Sequence, residues 1–190
     1  MRTAKLVALS LLLLFAATTA LAADPPSDPR KLTKPGKYVT SVEAYEMWHQ
    51  NPSTVRIIDV RAPEEYAVLG HPAMAANLPF MLWTGVFDAQ RRMYPLAPNH
   101  GFVAEIARRF KPGDTLLLMC RSGHRSAPAV NALAEAGFIN VYSVIDGFEG
   151  DPVADRASPD FGKRIRNGWR NEPLPWTTEL DPALVYTPAK

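Results

Sequence analysis

Twelve consecutive residues constrain this chain more than any others. Thr115-Leu116-Leu117-Leu118-Met119 is a short, unbroken apolar run, the pattern of a strand buried on both faces in a parallel sheet. It leads into Cys120-Arg121-Ser122-Gly123-His124-Arg125-Ser126 and then into an alanine-rich stretch that reaches Ala136 and stops at Gly137. That composition predicts a helix with a glycine stop, and Pro128 falls near its first turn, where a missing N–H does no harm. The only cysteine of the chain therefore stands where a buried strand ends and a helix begins.

A turn of this kind gathers backbone N–H groups into one concave space, and the helix start adds unpaired donors with a partial positive charge. Arg121 and Arg125 place two permanent cations nearby. A thiol in such a place ionises more readily than a free one, whose pKa is about 8.5, and the thiolate is the nucleophilic form. The same donors suit an anionic ligand. A buried, inert cysteine would have no use for the flanking arginines and glycine.

The loop Cys120–Ser126 resembles the active-site loop of rhodaneses, sulfurtransferases that carry sulfur as a cysteine persulfide. Two further segments are similar to that family. Ile57-Ile58-Asp59-Val60-Arg61-Ala62-Pro63-Glu64-Glu65-Tyr66 resembles the strand and helix start that open these domains. Gly70-His71 through Asn77-Leu78-Pro79 resembles the Gly-His to Asn-x-Pro stretch, with departures at Pro72 and Met74. The resemblance spans residues 40–150 and implies a three-layer α/β domain: a mostly parallel central sheet with helices on both faces. It further implies Cys120 as the nucleophile, with Arg121, Ser122, Gly123, His124, Arg125 and Ser126 as the substrate-binding loop. No metal or organic cofactor is implied. Cysteine phosphatases place five residues between cysteine and arginine, whereas four separate Cys120 from Arg125. The shorter ring resembles a cradle for one sulfur atom rather than for phosphate.

The start of the chain has its own signature. Arg2 and Lys5 precede an apolar stretch from Leu6 to Ala17, and Ala20-Leu21-Ala22 has the small-x-small form of a cleavage site. This predicts a secretory signal peptide over residues 1–22, cut near Ala22, and a periplasmic or secreted product with no membrane attachment afterwards. Cleavage takes two of the 21 basic residues and none of the 19 acidic ones, leaving a chain close to neutral. Nothing in that balance points to nucleic acid. A lone cysteine permits no internal disulfide, so sulfur or oxidising equivalents on Cys120 must leave to another molecule.

Residues 23–39, rich in proline, read as an extended lead-in. Thr40-Ser41-Val42-Glu43 has the form of a capping box and predicts a helix from Ser41 to about Gln50, packing Val42, Tyr45 and Trp48 on the sheet. Strands are predicted over 55–60, 75–80 and 140–145, with helices starting at Pro63 and spanning 101–110. Asp59 and Arg61 fall at a strand's C-terminal end, where α/β sheets place their ligand crevice. A bracing ion pair there is favoured over substrate contact. His71 reads as a structural hydrogen-bonder, and His124 as a solvent-facing loop residue. Ser126 either caps the helix or steadies the sulfur. Residues 81–99 form a long apolar link that either walls the pocket over Cys120 or packs on the body. Residues 151–190 are expected to wrap back and dock Trp169 and Trp176 in apolar grooves.

The expected partners are a small anionic sulfur donor and a thiol or cyanide acceptor, with a periplasmic protein as a further candidate acceptor. Two other readings stand beside sulfur transfer: a binding module for a periplasmic redox partner, and an oxyanion reductase or phosphatase.

Overall fold

A computed structural model describes residues 23–188; the signal-peptide expectation for residues 1–22 lies outside the described residues. Besides two 3-10 turns, at Pro29–Lys31 and Trp169–Asn171, the elements in chain order are β1 (Tyr38–Val39), α1 (Ser41–Gln50), β2 (Val55–Asp59), α2 (Pro63–Leu69), β3 (His71–Pro72) and β4 (Ala76–Asn77). There follow β5 (Met81–Trp83), β6 (Leu96–Pro98), α3 (Phe102–Arg109), β7 (Thr115–Met119), α4 (Ser126–Glu135), β8 (Val141–Val144) and β9 (Trp176–Thr177). The central sheet has the order β1-β8-β7-β2-β4, and every pairing within it is parallel. This is the three-layer α/β architecture expected.

The period-2 alternation of a strand explains how one apolar run serves two cores. Leu116 and Leu118 of β7 join Phe102 and Ile106 of α3 and Val130 and Leu133 of α4 on one face. Leu117 and Met119 point the other way, into a second core with Ala44 of α1, Phe148 and Trp169. Cys120 belongs to the first of these cores. Because β7 is flanked by β2 and β8, its C-terminal end opens at the middle of the sheet edge.

The capping box at α1 forms as predicted: Glu43 N–H donates to Thr40 Oγ1 at 3.2 Å, and Thr40 N–H to Glu43 Oε2 at 2.7 Å. The helix is rotated from expectation, however. Ser41 and Ala44 are its buried residues, with Tyr45 and Trp48 packed beside them, while Val42 is exposed. Positions 41, 44, 45 and 48 make one continuous stripe, which leaves position 42 on the other side.

The lead-in is not extended throughout, since it contains the first 3-10 turn and ends in β1 against β8. The strand predicted over 75–80 shrinks to Ala76–Asn77, because Pro79 has no N–H for the ladder. Leu78 and Phe80 still donate to Asp59 O and Val60 O, at 3.0 and 3.1 Å. The long link over 81–99 is an antiparallel hairpin, β5 with β6, extended by a bridge between Asp88 and Met93.

The C-terminal extension does wrap back. Trp169 is fully buried, edge-on to Tyr45, and its indole N–H donates to Pro175 O at 3.0 Å. Trp176 departs from expectation: it is about half exposed and is held by the pairing of β9 with β3.

Candidate active site

β7 delivers Cys120 to the sheet edge, and backbone bonds from the next turn fix the loop behind it. Phe148 N–H donates to Cys120 O at 2.8 Å, and Glu149 N–H to Arg121 O at 2.9 Å. The approach is so close that two positions admit only glycine. A Cβ on Gly147, whose φ is +64°, would lie 2.5 Å from Cys120 O. One on Gly123, at φ +90°, would lie 2.4 Å from Ile145 O. Lys31 ties the same corner by donating to Ile145 O at 3.0 Å and pairing with Asp151 at 2.7 Å.

The sulfur is almost covered, with Cys120 only 1% exposed, but it forms part of the floor of a cavity of about 440 Å³. Arg125 N–H donates to Sγ at 3.3 Å. Among the described residues, the N–H groups of Arg121, Ser122, Gly123 and His124 have no protein acceptor. A loop that leaves four such donors beside a thiol, at the start of a ten-residue helix, favours negative charge on or next to the sulfur.

Ser126 does not cap α4. It is the helix's first residue, and Arg125 occupies the capping position without a side-chain bond. The Ser126 hydroxyl donates to Gly123 O at 3.1 Å, shares a 2.9 Å bond with Ser143, and lies 3.8 Å from Sγ. The hydroxyl therefore neighbours the sulfur as an acceptor, while its own proton is directed to Gly123 O.

The two loop arginines are not equivalent. Both terminal nitrogens of Arg125 bond the Glu65 carboxylate at 2.6 Å, so its charge is locally neutralised and its loop contribution is the N–H on sulfur. Burial opposes ionisation of the Glu65 carboxyl, but the Arg125 hydrogen bonds outweigh it and hold the group below its ordinary value. Arg121 is half exposed, lines the cavity, and has only a 3.3 Å bond to Glu149. His124 is not a free loop residue. Its Nε2 meets Asp28 Oδ2 at 2.9 Å and its Nδ1 meets Ser122 Oγ at 3.3 Å. Arg30, through its side chain and then its backbone N–H, holds the Asp28 carboxyl well below the usual carboxylate range, with His124 adding to the effect.

Asp59 and Arg61 stand away from the cavity lining and are both fully buried. Asp59 accepts from Arg61 Nε at 3.0 Å, from Nη2 at 2.6 Å and from the Arg61 backbone N–H at 3.0 Å. Arg61 also donates to Gly70 O at 2.7 Å and lies over the Phe148 ring at 4.4 Å. The pair braces two loops, and it neighbours the Cys120 segment through the Phe148 ring and through the pairing of Asp59 with Met119 in the sheet. His71 is buried too, stacked on Tyr66 with ring centroids 3.6 Å apart and hydrogen-bonded to Pro72 O at 3.0 Å.

Sequence reasoning missed Glu65 and Arg164 as cavity residues. Arg164 comes from the C-terminal extension and lines the cavity with Cys120 and Arg121. Burial, and then the neighbouring charge of Arg121, lower its pKa. No local pattern marks it. Trp83, Met93, Tyr94 and Leu96 of the hairpin make the apolar side of the same cavity. Among the described residues, no group of three or more His, Cys, Asp or Glu side chains could hold a metal ion.

A parallel α/β sheet whose central strand ends in a loop bearing one thiol defines a class of three-layer α/β domains. Within that class, the chain belongs to the Rhodanese-like domain family, which residues 40–151 match. A radish (Raphanus sativus) relative, senescence-associated protein DIN1, is 32% identical over 91 residues, covering 48% of this chain and 45% of that protein. The chain thus spans about half the length of that relative. Chloroplastic thiosulfate sulfurtransferase 16 of Arabidopsis thaliana is 32% identical over 93 residues, 49% of this chain and 70% of that one. The crystal structure of Rv0390 from M. tuberculosis superposes with a TM-score of 0.57 at 29% identity, covering 75% of this chain and 100% of the other.

Proposed function

We propose that the protein is a sulfurtransferase that carries sulfane sulfur as a persulfide on Cys120. The observation that carries this reading is the loop itself: one thiol with Arg125 N–H at 3.3 Å, followed by four residues whose backbone N–H groups have no protein acceptor among the described residues. Phosphate chemistry needs a wider ring, and four residues between Cys120 and Arg125 do not provide it.

In the first step the Cys120 thiolate attacks the outer sulfur of a donor such as thiosulfate. A sulfur–sulfur bond to Cys120 forms, the donor's own sulfur–sulfur bond breaks, and sulfite departs with its electron pair. Charge is conserved, since a monoanion and a dianion give a monoanionic persulfide and a dianion. Arg121 and Arg164 draw the anion into the cavity, and the loop N–H groups offset charge on the terminal sulfur. In the second step a thiolate or cyanide attacks that outer sulfur, and Cys120 leaves as the thiolate. No net oxidation occurs, so the cycle calls for neither metal nor cofactor. With residues 1–22 removed near Ala22, the protein works in the periplasm or outside the cell.

Incubation with thiosulfate followed by intact-mass measurement tests the proposal. The wild-type protein gains one sulfur atom and Cys120→Ala gains none. Absence of that gain, together with thiocyanate formation from cyanide no faster than in Cys120→Ala, would refute it.

A further inference from the structure

A small inorganic donor explains the loop but not the hairpin beside it. β5 and β6 carry an arm whose apolar side chains stand in solvent: Val86 is 70% exposed, and Trp83, Phe87, Met93 and Tyr94 are each about half exposed. Trp83, Met93 and Tyr94 line the cavity over Cys120, and Phe87 meets Tyr94 edge-on with ring centroids 5.3 Å apart. Val86 and Phe87 lie between the paired strands and the Asp88–Met93 bridge, so exposed apolar side chains extend along the arm from the cavity toward its tip. An exposed strip of that kind marks a contact surface. Its charge is positive on balance, with Arg91 and Arg92 against Asp88, whose Oδ1 already accepts the N–H groups of Gln90 and Arg91. Arg92 has no ion-pair partner among the described residues, and Arg91 reaches Asp88 only at 3.7 Å. Arg121 and Arg164 line the adjoining cavity, Arg121 sharing a 3.3 Å bond with Glu149, while Glu65, the acidic residue of that lining, is bonded to Arg125.

We infer that this arm docks an acidic, apolar polypeptide segment that presents the sulfur-accepting thiol to Cys120. The inference rests on the sulfurtransferase reading and names the acceptor class for the same site. The apolar side chains pack against the arm and the arginines meet the partner's carboxylates, while the thiol enters the cavity. A lipid surface fits less well. The strip is continuous with the cavity wall, so burying it in a bilayer would seal the only thiol against its substrates. The chemistry balances: the partner's thiolate takes the outer sulfur and becomes the persulfide, and Cys120 is released as a thiolate.

The test uses two synthetic peptides, one with cysteine flanked by leucine, phenylalanine, aspartate and glutamate, the other with cysteine flanked by glycine and serine. Fluorescence anisotropy with cysteine-to-serine versions of the peptides reports docking alone, and desulfuration of thiosulfate-loaded protein by the thiol versions reports transfer. The acidic apolar peptide binds and reacts at least about tenfold better than the glycine–serine peptide. The double variant Val86→Ser/Phe87→Ser, whose residues lie outside the cavity, removes most of that preference and leaves loading from thiosulfate unchanged. Arg92→Glu weakens the acidic peptide by about threefold or more. Equal peptide affinity in wild type and double variant would overturn the inference. So would co-sedimentation with anionic phospholipid vesicles that the double variant loses while peptide affinity stays the same. Failure to load from thiosulfate, with the peptide preference intact, would leave the docking surface standing and remove the sulfur chemistry instead.

Discussion

Asp59→Ala severs the most deeply buried charge pair among the described residues, and the size of the effect follows from the surroundings of Arg61. Asp59 accepts three different N–H groups of Arg61, and both side chains have zero exposure. Without the carboxylate, the guanidinium keeps only Gly70 O and the Phe148 ring, and its Nη1 is already without a partner. Removing one partner of a buried pair costs about 3–5 kcal/mol, because the remaining charge is left uncompensated. For a domain of this size that corresponds to a melting temperature lower by roughly 6–20 °C. Exchanging both residues for apolar ones of similar volume, Asp59→Leu with Arg61→Met, costs less than the single change, since no unpaired charge is created. Denaturant melts of wild type, the single variant and the double variant supply the comparison. The loading rate from thiosulfate, measured at a temperature where every variant is folded, stays within about twofold. A loss below about 1 kcal/mol for Asp59→Ala would show that water reaches Arg61, and the bracing argument would fail. A loading rate that collapsed in the folded variant would place Asp59 in the chemistry.

Three further outcomes follow from the same geometry. Gly123→Ala costs about 1–3 kcal/mol and impairs sulfur loading, because its Cβ meets a backbone oxygen and its φ is left-handed; denaturant melts and intact mass read the two effects. Glu65 is held below its ordinary value, so it binds fewer protons folded than unfolded. Its stabilising contribution is present above the ordinary carboxylate value and is lost as pH falls through the lowered folded value, so melts of wild type and Glu65→Gln should draw together only on the acid side of the ordinary carboxylate range. Arg164→Gln raises KM for thiosulfate by about threefold to tenfold, an effect that weakens in high salt. An unchanged KM would take the C-terminal extension out of donor binding.

What the sequence showed plainly was wherever a local pattern was strong. β7 and the start of α4 sit where the apolar run, the loop and the alanine-rich stretch put them, and the capping box of α1 forms with both of its bonds. Short pieces escaped notice, because two or three residues carry no periodicity. β1, β9 and the arm formed by β5 and β6 exist through their partners rather than through their own composition. The site was legible in its nucleophile and its loop. It was not legible in its charges, since the pairing of Arg125 with Glu65 spans 60 positions and Arg164 arrives from outside the segment that the family match covers. That pairing decides which arginine remains open to an anion.

Residues from both ends of the described chain clasp the same loop. Asp28 holds His124 from one side; from the other, Trp169 N–H and Arg170 N–H donate to Gly147 O and Phe148 O, the turn that itself grips Cys120 and Arg121. Grafting this nucleophile into another scaffold would therefore require carrying both flanks with it. A fragment trimmed to residues 40–151 would keep the thiol and forfeit the latch that shapes its surroundings.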